Sequence, residues 1–367
     1  MSSEHGIYLR EVLAPKLRAL GVALLLGIMG GALFQWLHMP LPWMLGAVCG
    51  TMAGALGGLR MAVPATFRNG MLIVLGVLIG SGFTPDILTH IHRWTISIAG
   101  VVIYTLALSL LAYVFFRKVV RYSALDSFFS GLPGGLAAVI FLGQEAGADI
   151  RKLSIIHSLR VTLVCFSVPL WVQWSEGVRA VAGGVGSAAG LGTQDALLLV
   201  GSGLGGFLLG KVLRIPVPFL LGPMFFSAAV HLGGLTVAKP PVELVRAAQV
   251  VVGAAIGCRF VGVPLRNVAR MLVVGGGATL GMLLFGLGAA WVLHKVSGLP
   301  LAAMVIALAP GGLPEMTLIA LALEVDVALV VTHHLVRVLM INFLAPLAYK
   351  WLFPAKQPGQ DLTGGNG

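Results

Sequence analysis

Long apolar runs separated by short polar segments make up most of this chain. Several of the runs approach the roughly 20 apolar residues that one crossing of a bilayer requires. The pattern predicts an all-α polytopic membrane protein with five to six transmembrane segments in each half. The predicted segments span residues 17–37, 42–60, 69–86, 94–116, 125–146 and 152–175, then 194–212, 218–236, 244–261, 268–294, 301–323 and 327–352.

The second half of the chain repeats the motifs of the first half in the same order. HMPLPWMLG at His38 matches RIPVPFLLG at Arg214, and LPGGL at Leu132 matches APGGL at Ala309. A D-x7-H-x2-R-x8-P block also occurs in both halves. Matches at a nearly constant offset indicate an internal duplication. An odd number of crossings in each repeat gives inverted repeats, and an even number gives parallel repeats. The sequence leaves both orientations open, and analogy favours inverted repeats.

The duplication divides the chain into five predicted regions. They are a cytoplasmic N-terminal segment (1–16), a first membrane repeat (17–175), a linker (176–193), a second membrane repeat (194–352) and a disordered tail (353–367).

A Pro-Gly-Gly sequence interrupts the fifth apolar segment of each half. Proline removes a helical hydrogen bond, and the freed backbone groups find no water in hydrocarbon. Interrupted segments at matching positions of two repeats indicate the substrate or ion site of a transporter. The alternative is a proline kink packed against neighbouring helices. The candidate site residues of the two breaks are Pro133, Gly134, Gly135, Pro310, Gly311 and Gly312.

Charged side chains near the breaks are the other candidate site residues. Glu315 follows the second break, and a carboxylate near the bilayer centre costs roughly 3 kcal/mol. It is a candidate for ion or proton coupling, or it lies in an aqueous vestibule or pairs with an arginine. His157 and Arg160, like His334 and Arg337, are three residues apart and share a helix face. These arginines are candidates for anion recognition or for pairing with Glu315, and the alternative is snorkelling toward lipid headgroups.

Two further duplicated features favour structural roles. Asp149 and Asp326 precede the histidines by eight residues, about 12 Å along a helix, which is too far for contact. Both are therefore predicted to be helix N-caps. The G-x-x-x-G pairs that begin at Gly76 and Gly253 predict close helix packing.

Composition narrows the classes of function. The chain is 58% hydrophobic and 10% charged, with a mean hydropathy of +0.97, whereas soluble domains carry about 25% charged residues. The net charge of +11 lies in short basic clusters between apolar runs, which is the positive-inside pattern and not that of a nucleic-acid module. The expected partners are the lipid bilayer and a small molecule or ion, with no direct nucleic acid, and a homodimer is left open. Three separated cysteines and scattered histidines predict no metal site, no cofactor and no enzyme activity.

The duplicated P-x-P-x-x-L-G motif, the P-G-G break and the D-x7-H-x2-R-x8-P block resemble the membrane AbrB family of Gram-negative bacteria, over residues 17–352. That family is named for an effect on gene expression, and its members are often labelled ammonia monooxygenase. It is unrelated to the small DNA-binding AbrB regulators. The motif order is more loosely similar to the cation/proton antiporter and anion transporter superfamily, which implies inverted repeats with crossed, discontinuous helices. The paired buried acids of sodium/proton exchangers are missing from this sequence.

These observations predict a multi-pass protein of the bacterial inner membrane. The first hypothesis is a secondary transporter for a small anionic or zwitterionic metabolite, coupled to protons or sodium. The second is a membrane protein that regulates gene expression indirectly. The third is a metal-dependent oxygenase, which is disfavoured because copper and iron sites need clustered histidine or carboxylate ligands.

Overall fold

A computed structural model of the protein describes residues 14–83, 94–134, 136–177, 191–215 and 217–353, which form fourteen α-helices. The helices of the first half are α1 (Ala14–Trp36), α2 (Pro42–Leu56), α3 (Ala65–Gly80), α4 (Trp94–Val114), α5 (Ala124–Gly131), α6 (Leu136–Glu145) and α7 (Ile150–Glu176). Those of the second half are α8 (Thr193–Val212), α9 (Pro218–Leu232), α10 (Val242–Gly257), α11 (Leu265–Ser297), α12 (Leu301–Leu308), α13 (Leu313–Ala322) and α14 (Val327–Leu352). A π-helical turn, Phe115–Val119, extends α4, and a 3-10 turn, Cys258–Phe260, follows α10.

Six of these helices are long and apolar enough to cross a membrane, namely α1, α4, α7, α8, α11 and α14. Their length and composition confirm the prediction of an all-α polytopic membrane protein. Residues 1–13, 178–190 and 354–367 hold most of the predicted N-terminal segment, linker and tail, and they lie outside the described residues, as does Gly135.

Four pairs of helices, α2 and α9, α3 and α10, α5 and α12, and α6 and α13, begin and end at equivalent residues of the two halves. Helix α2 starts at Pro42 and α9 at Pro218, and both follow a residue in the left-handed region, Leu41 (φ 46°) or Val217 (φ 50°). Such a conformation is rare for a residue with a Cβ and rarer still for a β-branched one. The same unusual backbone therefore occurs at the same position of both copies of the P-x-P motif.

The fifth predicted segment of each half is a pair of short helices. Helix α5 ends at Gly131 and α6 begins at Leu136, while α12 ends at Leu308 and α13 begins at Leu313. The Pro-Gly-Gly sequences lie between the paired helices, as the loss of a backbone donor at proline leads one to expect. Each half therefore has a helix that is broken at its Pro-Gly-Gly sequence.

The helices pack into two bundles, and each bundle takes helices from both halves. Helices α1–α3 pack with α8–α10 to form what we call the scaffold bundle. Helices α4–α7 pack with α11–α14 to form the broken-helix bundle. The two bundles meet chiefly where α13 contacts α3 and where α7 contacts α2 and the turn after α10.

Glycines set the close packing inside the scaffold bundle. A Cβ on Gly76 would collide with the backbone carbonyl of Leu220 in α9, and one on Gly253 would collide with that of Met44 in α2. Small residues of this kind let helix backbones approach each other. The packing interpretation of the G-x-x-x-G pairs is confirmed, and each pair contacts a helix of the opposite half.

Candidate functional site

Arg337 of α14 holds the backbone of the second helix break. Its Nη1 donates to the carbonyl of Ala309 at 2.7 Å and to that of Leu308 at 3.3 Å, and its Nη2 donates to the carbonyl of Gly311 at 3.1 Å. The last carbonyls of a helix lack intrahelical donors, and the negative end of the helix dipole favours a cation. Arg337 is only 1% exposed. Its guanidinium therefore donates the hydrogen bonds that water would donate to these carbonyls at an exposed helix end.

His334, one turn earlier on α14, completes this arrangement. Its Nδ1 lies 2.6 Å from Nη2 of Arg337, and its Nε2 lies 2.9 Å from the carbonyl of Ile306. A guanidinium can only donate hydrogen bonds, so Nδ1 is the acceptor. The proton of a neutral imidazole is then on Nε2, where it is donated to Ile306. His334 and Arg337 together bind four carbonyls at the end of α12 and just after it, those of Ile306, Leu308, Ala309 and Gly311.

At the first helix break the equivalent residues also bind backbone carbonyls, but Nδ1 of His157 has no partner among the described residues. Arg160 of α7 donates through Nη1 to the carbonyl of Leu132 at 2.9 Å, and His157 donates through Nε2 to the carbonyl of Phe129 at 3.0 Å. Both side chains are buried, at 3% and 0% exposure. The duplicated His and Arg therefore bind backbone carbonyls of the two breaks.

The two breaks lie next to each other in the broken-helix bundle. A Cβ on Gly134 would stand 3.8 Å from Nε of Arg337, the residue that holds the second break. Gly134 has a φ of 149°, a conformation that favours glycine. Tyr104 of α4 donates to the carbonyl of Leu308 at 2.9 Å. Pro133, Gly134, Pro310 and Gly311 are all buried, so protein covers both interruptions.

Glu315 occupies the first turn of α13 and is 8% exposed. Its carboxylate turns back toward Gly312, where a Cβ would collide with it. Among the described residues, the ion pairs within 4 Å join Lys152 to Asp126 and to Asp149, and none includes Glu315. Glu315 therefore lies apart from the arginines of the two breaks.

A cavity of about 490 Å³ lies between the two bundles and contains Glu315. Its other polar lining residues are Ser154 and Ser158 of α7, Arg68 of α3, and Arg259 in the turn after α10. The first turns of α9 and α13 line it as well, through Val217 and Leu220 on one side and Gly312, Leu313 and Pro314 on the other. The cavity thus combines one carboxylate, two guanidinium groups and two helix N-termini.

Arg68 and Arg259 are site residues that the sequence analysis did not select. Neither charge is duplicated, because Gly82 is equivalent to Arg259 in the first half and Val245 is equivalent to Arg68 in the second half. Glu315 shows the same asymmetry, with Ala138 at the equivalent position. A charge present in only one copy of a repeated motif is the signal that identifies Arg259.

The aspartates that precede α7 and α14 have the structural role predicted for them. Asp149 accepts hydrogen bonds from the backbone N–H groups of Arg151 and Lys152, and Asp326 accepts one from that of Leu329. The hydrogen bond from the Lys152 backbone, with the Lys152 ammonium nearby, holds the pKa of Asp149 below its ordinary value. The N-cap prediction is confirmed.

No group of three or more metal-binding side chains occurs among the described residues. The groups that could bind a ligand at the helix breaks and in the cavity are backbone carbonyls, guanidinium groups and the buried carboxylate of Glu315.

Comparison with known proteins identifies the family. A family model described as "Transition state regulatory protein AbrB" matches residues 43–353. The chain is 27% identical over 299 residues to "Uncharacterized protein YhjN" of Bacillus subtilis (strain 168), covering 76% of this chain and 77% of that protein. It is 25% identical over 325 residues to "Putative regulator AbrB" of Escherichia coli (strain K12), covering 87% and 92%. No solved structure matches the chain. Because the family model spans most of its length, the chain belongs to the AbrB family, and the resemblance to the membrane members of that family is confirmed.

Proposed function

We propose that the protein is a secondary transporter of a bacterial inner membrane that carries a small anionic metabolite and couples its movement to protons through Glu315. The observation that carries the proposal is the cavity between the two bundles, which a helix break, a buried carboxylate and two arginines line together. Ligand sites occur preferentially at such boundaries between structural units. The proposal assigns no catalytic residue and no cofactor.

The broken helices supply the first argument for transport. A break in a membrane helix persists only where protein or a wet cavity satisfies its backbone groups. Here Arg160 and Arg337 satisfy the carbonyls on one side of each break. The residues after the second break, Gly312 to Glu315, line the cavity directly. Half-helix ends that face a central cavity are the arrangement by which secondary transporters bind substrates and ions.

The placement of Glu315 supplies the argument for proton coupling. A carboxylate in the membrane interior is costly and is by default a candidate for function. Among the described residues, the charged groups that act on Glu315 are Arg259, after α10, and Arg68 of α3. The two guanidinium groups repel a sodium ion, while a proton can still bind the carboxylate itself. Coupling to protons is therefore favoured over coupling to sodium.

The division into two bundles supplies the moving parts. Alternating access in secondary transporters is largely a rigid-body movement of one helical unit against another around a fixed site. The scaffold bundle contributes Arg68 and Arg259 to the cavity, and the broken-helix bundle contributes Ser158 and Glu315. A movement at the boundary between the bundles would change the access to this site.

Uptake into sealed proteoliposomes tests the proposal. Compounds that raise the melting temperature of the purified protein identify candidate solutes, because a ligand that binds the folded state stabilises it. We expect such a compound to accumulate when an inward proton gradient is imposed, and to stop accumulating when a protonophore is added. Uptake no faster than into liposomes without protein would contradict transport, and accumulation that follows only a sodium gradient would contradict proton coupling.

Indirect regulation of gene expression is the second candidate, because the Escherichia coli relative is named as a regulator. An effect on gene expression that arises from transport needs an active transporter, whereas regulation by the protein itself does not. If a change in gene expression in a deletion strain is reversed by a transport-inactive variant of Glu315, the regulatory function is favoured.

A further inference from the structure

We infer that the cavity binds a small monocarboxylate with an apolar body, and that Arg259, Arg68 and Ser158 hold its carboxylate group. The inference rests on the proposed function and specifies its substrate class. Its evidence is the hydrogen-bonding state of the polar lining residues, the balance of charge, and the chemistry of the remaining walls.

Three polar residues of the cavity lining have free hydrogen-bonding capacity. Arg259 is exposed and has no hydrogen-bond or ion-pair partner among the described residues. Arg68 is half-buried and donates from Nη2 to Oδ1 of its neighbour Asn69 at 3.2 Å, while its buried Nε has no partner. Ser158 is 2% exposed, and its buried hydroxyl is also without a partner. Buried polar atoms in native proteins are nearly always hydrogen-bonded, so the Arg68 Nε and the Ser158 hydroxyl point to a polar ligand.

The donors favour a carboxylate. A guanidinium group presents its N–H donors in a planar fork that matches a carboxylate, and a serine hydroxyl can add a further donor. The N-terminus of α9 at the cavity wall favours an anion as well, whereas the N-terminus of α13 already faces the Glu315 carboxylate.

The balance of charge favours a single negative charge on the ligand. The positive charges of Arg259 and Arg68 already act on the Glu315 carboxylate. While Glu315 is ionised, a monoanion brings these charges to neutrality, whereas a dianion leaves excess negative charge inside the membrane. Uncompensated charge there is unfavourable. A monocarboxylate therefore fits better than a dicarboxylate or a polyphosphate.

The remaining walls favour an apolar body. Aliphatic side chains from several helices line the cavity, and six of these helices contribute Leu72, Ile140, Val161, Leu220, Val252 and Val338. A volume of about 490 Å³ accommodates a small organic acid but leaves little room for a large cofactor. Each methylene that leaves water for such walls should raise the affinity about three- to four-fold. Affinity should therefore rise with chain length until the cavity is filled.

Calorimetric titration of the purified full-length protein tests the inference without any transport measurement. The probes are acetate, butyrate and hexanoate as monocarboxylates, butyramide as the uncharged analogue, succinate as a dianion, and inorganic phosphate. We expect affinity to rise from acetate to hexanoate, and butyramide, succinate and phosphate to bind at least ten-fold more weakly than butyrate. Equal binding of butyrate and butyramide, or tighter binding of phosphate or succinate, would overturn the inference.

Matched arginine variants locate the site. Arg259→Gln should weaken butyrate binding at least ten-fold, and Arg259→Lys, which keeps the charge but loses the planar fork, should weaken it less. Arg246→Gln is the control, because Arg246 lies in α10 of the same bundle and stacks over Trp43 at 6.0 Å, outside the cavity lining. Equal affinities of Arg259→Gln and Arg246→Gln, at unchanged melting temperatures, would place the carboxylate elsewhere. If Arg259→Gln does not fold, the result with Arg259→Lys decides.

The test separates this inference from the proposed function. Butyrate binding in detergent without uptake into proteoliposomes would sustain the binding site and contradict transport. Proton-driven uptake of a solute without a carboxylate would sustain transport and contradict the carboxylate site.

Discussion

Replacing Arg337 with leucine should lower the free energy of unfolding by about 3–5 kcal/mol, because several buried acceptors lose a charged donor at roughly 1–3 kcal/mol each. The Arg337 side chain is 1% exposed and donates to the carbonyls of Leu308, Ala309 and Gly311. Leucine would leave these acceptors and Nδ1 of His334 unsatisfied in a place that water does not reach freely, and an unsatisfied buried polar group is unfavourable. Thermal unfolding in detergent micelles measures the effect.

Arg160→Leu is the matched control for Arg337→Leu. Arg160 occupies the equivalent position of the first half and is also buried, but among the described residues its guanidinium binds one carbonyl, that of Leu132. One hydrogen bond to a charged group is worth about 1.5–3 kcal/mol, so the smaller loss is expected here. An equal loss in both variants, or a stable Arg337→Leu protein, would contradict the conclusion that Arg337 holds the second break together.

Glu315→Gln should abolish accumulation driven by a proton gradient and leave exchange of the solute across the membrane intact. Glutamine keeps the shape of the side chain and its hydrogen bonding but cannot bind or release a proton. A gradient of one pH unit corresponds to about 1.4 kcal/mol, enough for about ten-fold accumulation of a solute that moves with one proton. The wild-type protein should approach this ratio, and the variant should only equilibrate the solute. The measurement is uptake and counterflow of a labelled solute in proteoliposomes.

Glu145→Gln is the control for this second prediction. Glu145 ends α6, the first-half equivalent of α13, and its side chain is exposed. The control protein should accumulate solute like the wild type. If Glu315→Gln also accumulates solute normally, Glu315 is a cap at the start of α13 and has no part in coupling.

Local features of the fold follow from the sequence because local chemistry determines them. The apolar runs gave the positions of the helices, and the loss of a backbone donor at Pro133 and Pro310 gave the position of the two breaks. The duplicated aspartates were recognisable as N-caps because a short acceptor before an apolar helix has this role. These inferences needed only neighbouring residues.

Features that depend on tertiary packing could not be predicted. The sequence places His157 and Arg160 on one helix face, but the carbonyls they bind belong to residues 28 positions earlier in the chain. The cavity brings Arg68 and Arg259 to Glu315 only because α3, α10 and α13 meet at the boundary between bundles. Each bundle takes helices from both halves, so the order of the repeats along the chain does not show which helices meet at this boundary. The sequence left Arg160 and Arg337 as candidates for anion recognition, for pairing with Glu315 or for snorkelling, and the structure places both guanidinium groups on backbone carbonyls.

The most direct test of the account asks whether the cavity opens to both sides of the membrane. Ser158→Cys, in a background with Cys49, Cys165 and Cys258 replaced by alanine, places a thiol in the cavity wall. Thr105→Cys is the control, since Thr105 is fully buried in α4 outside the cavity lining. We predict that a membrane-impermeant maleimide labels the Ser158→Cys protein from either face of oriented vesicles and does not label the control. Labelling from one face only, under every imposed gradient, would contradict a carrier that exposes this cavity alternately to the two sides.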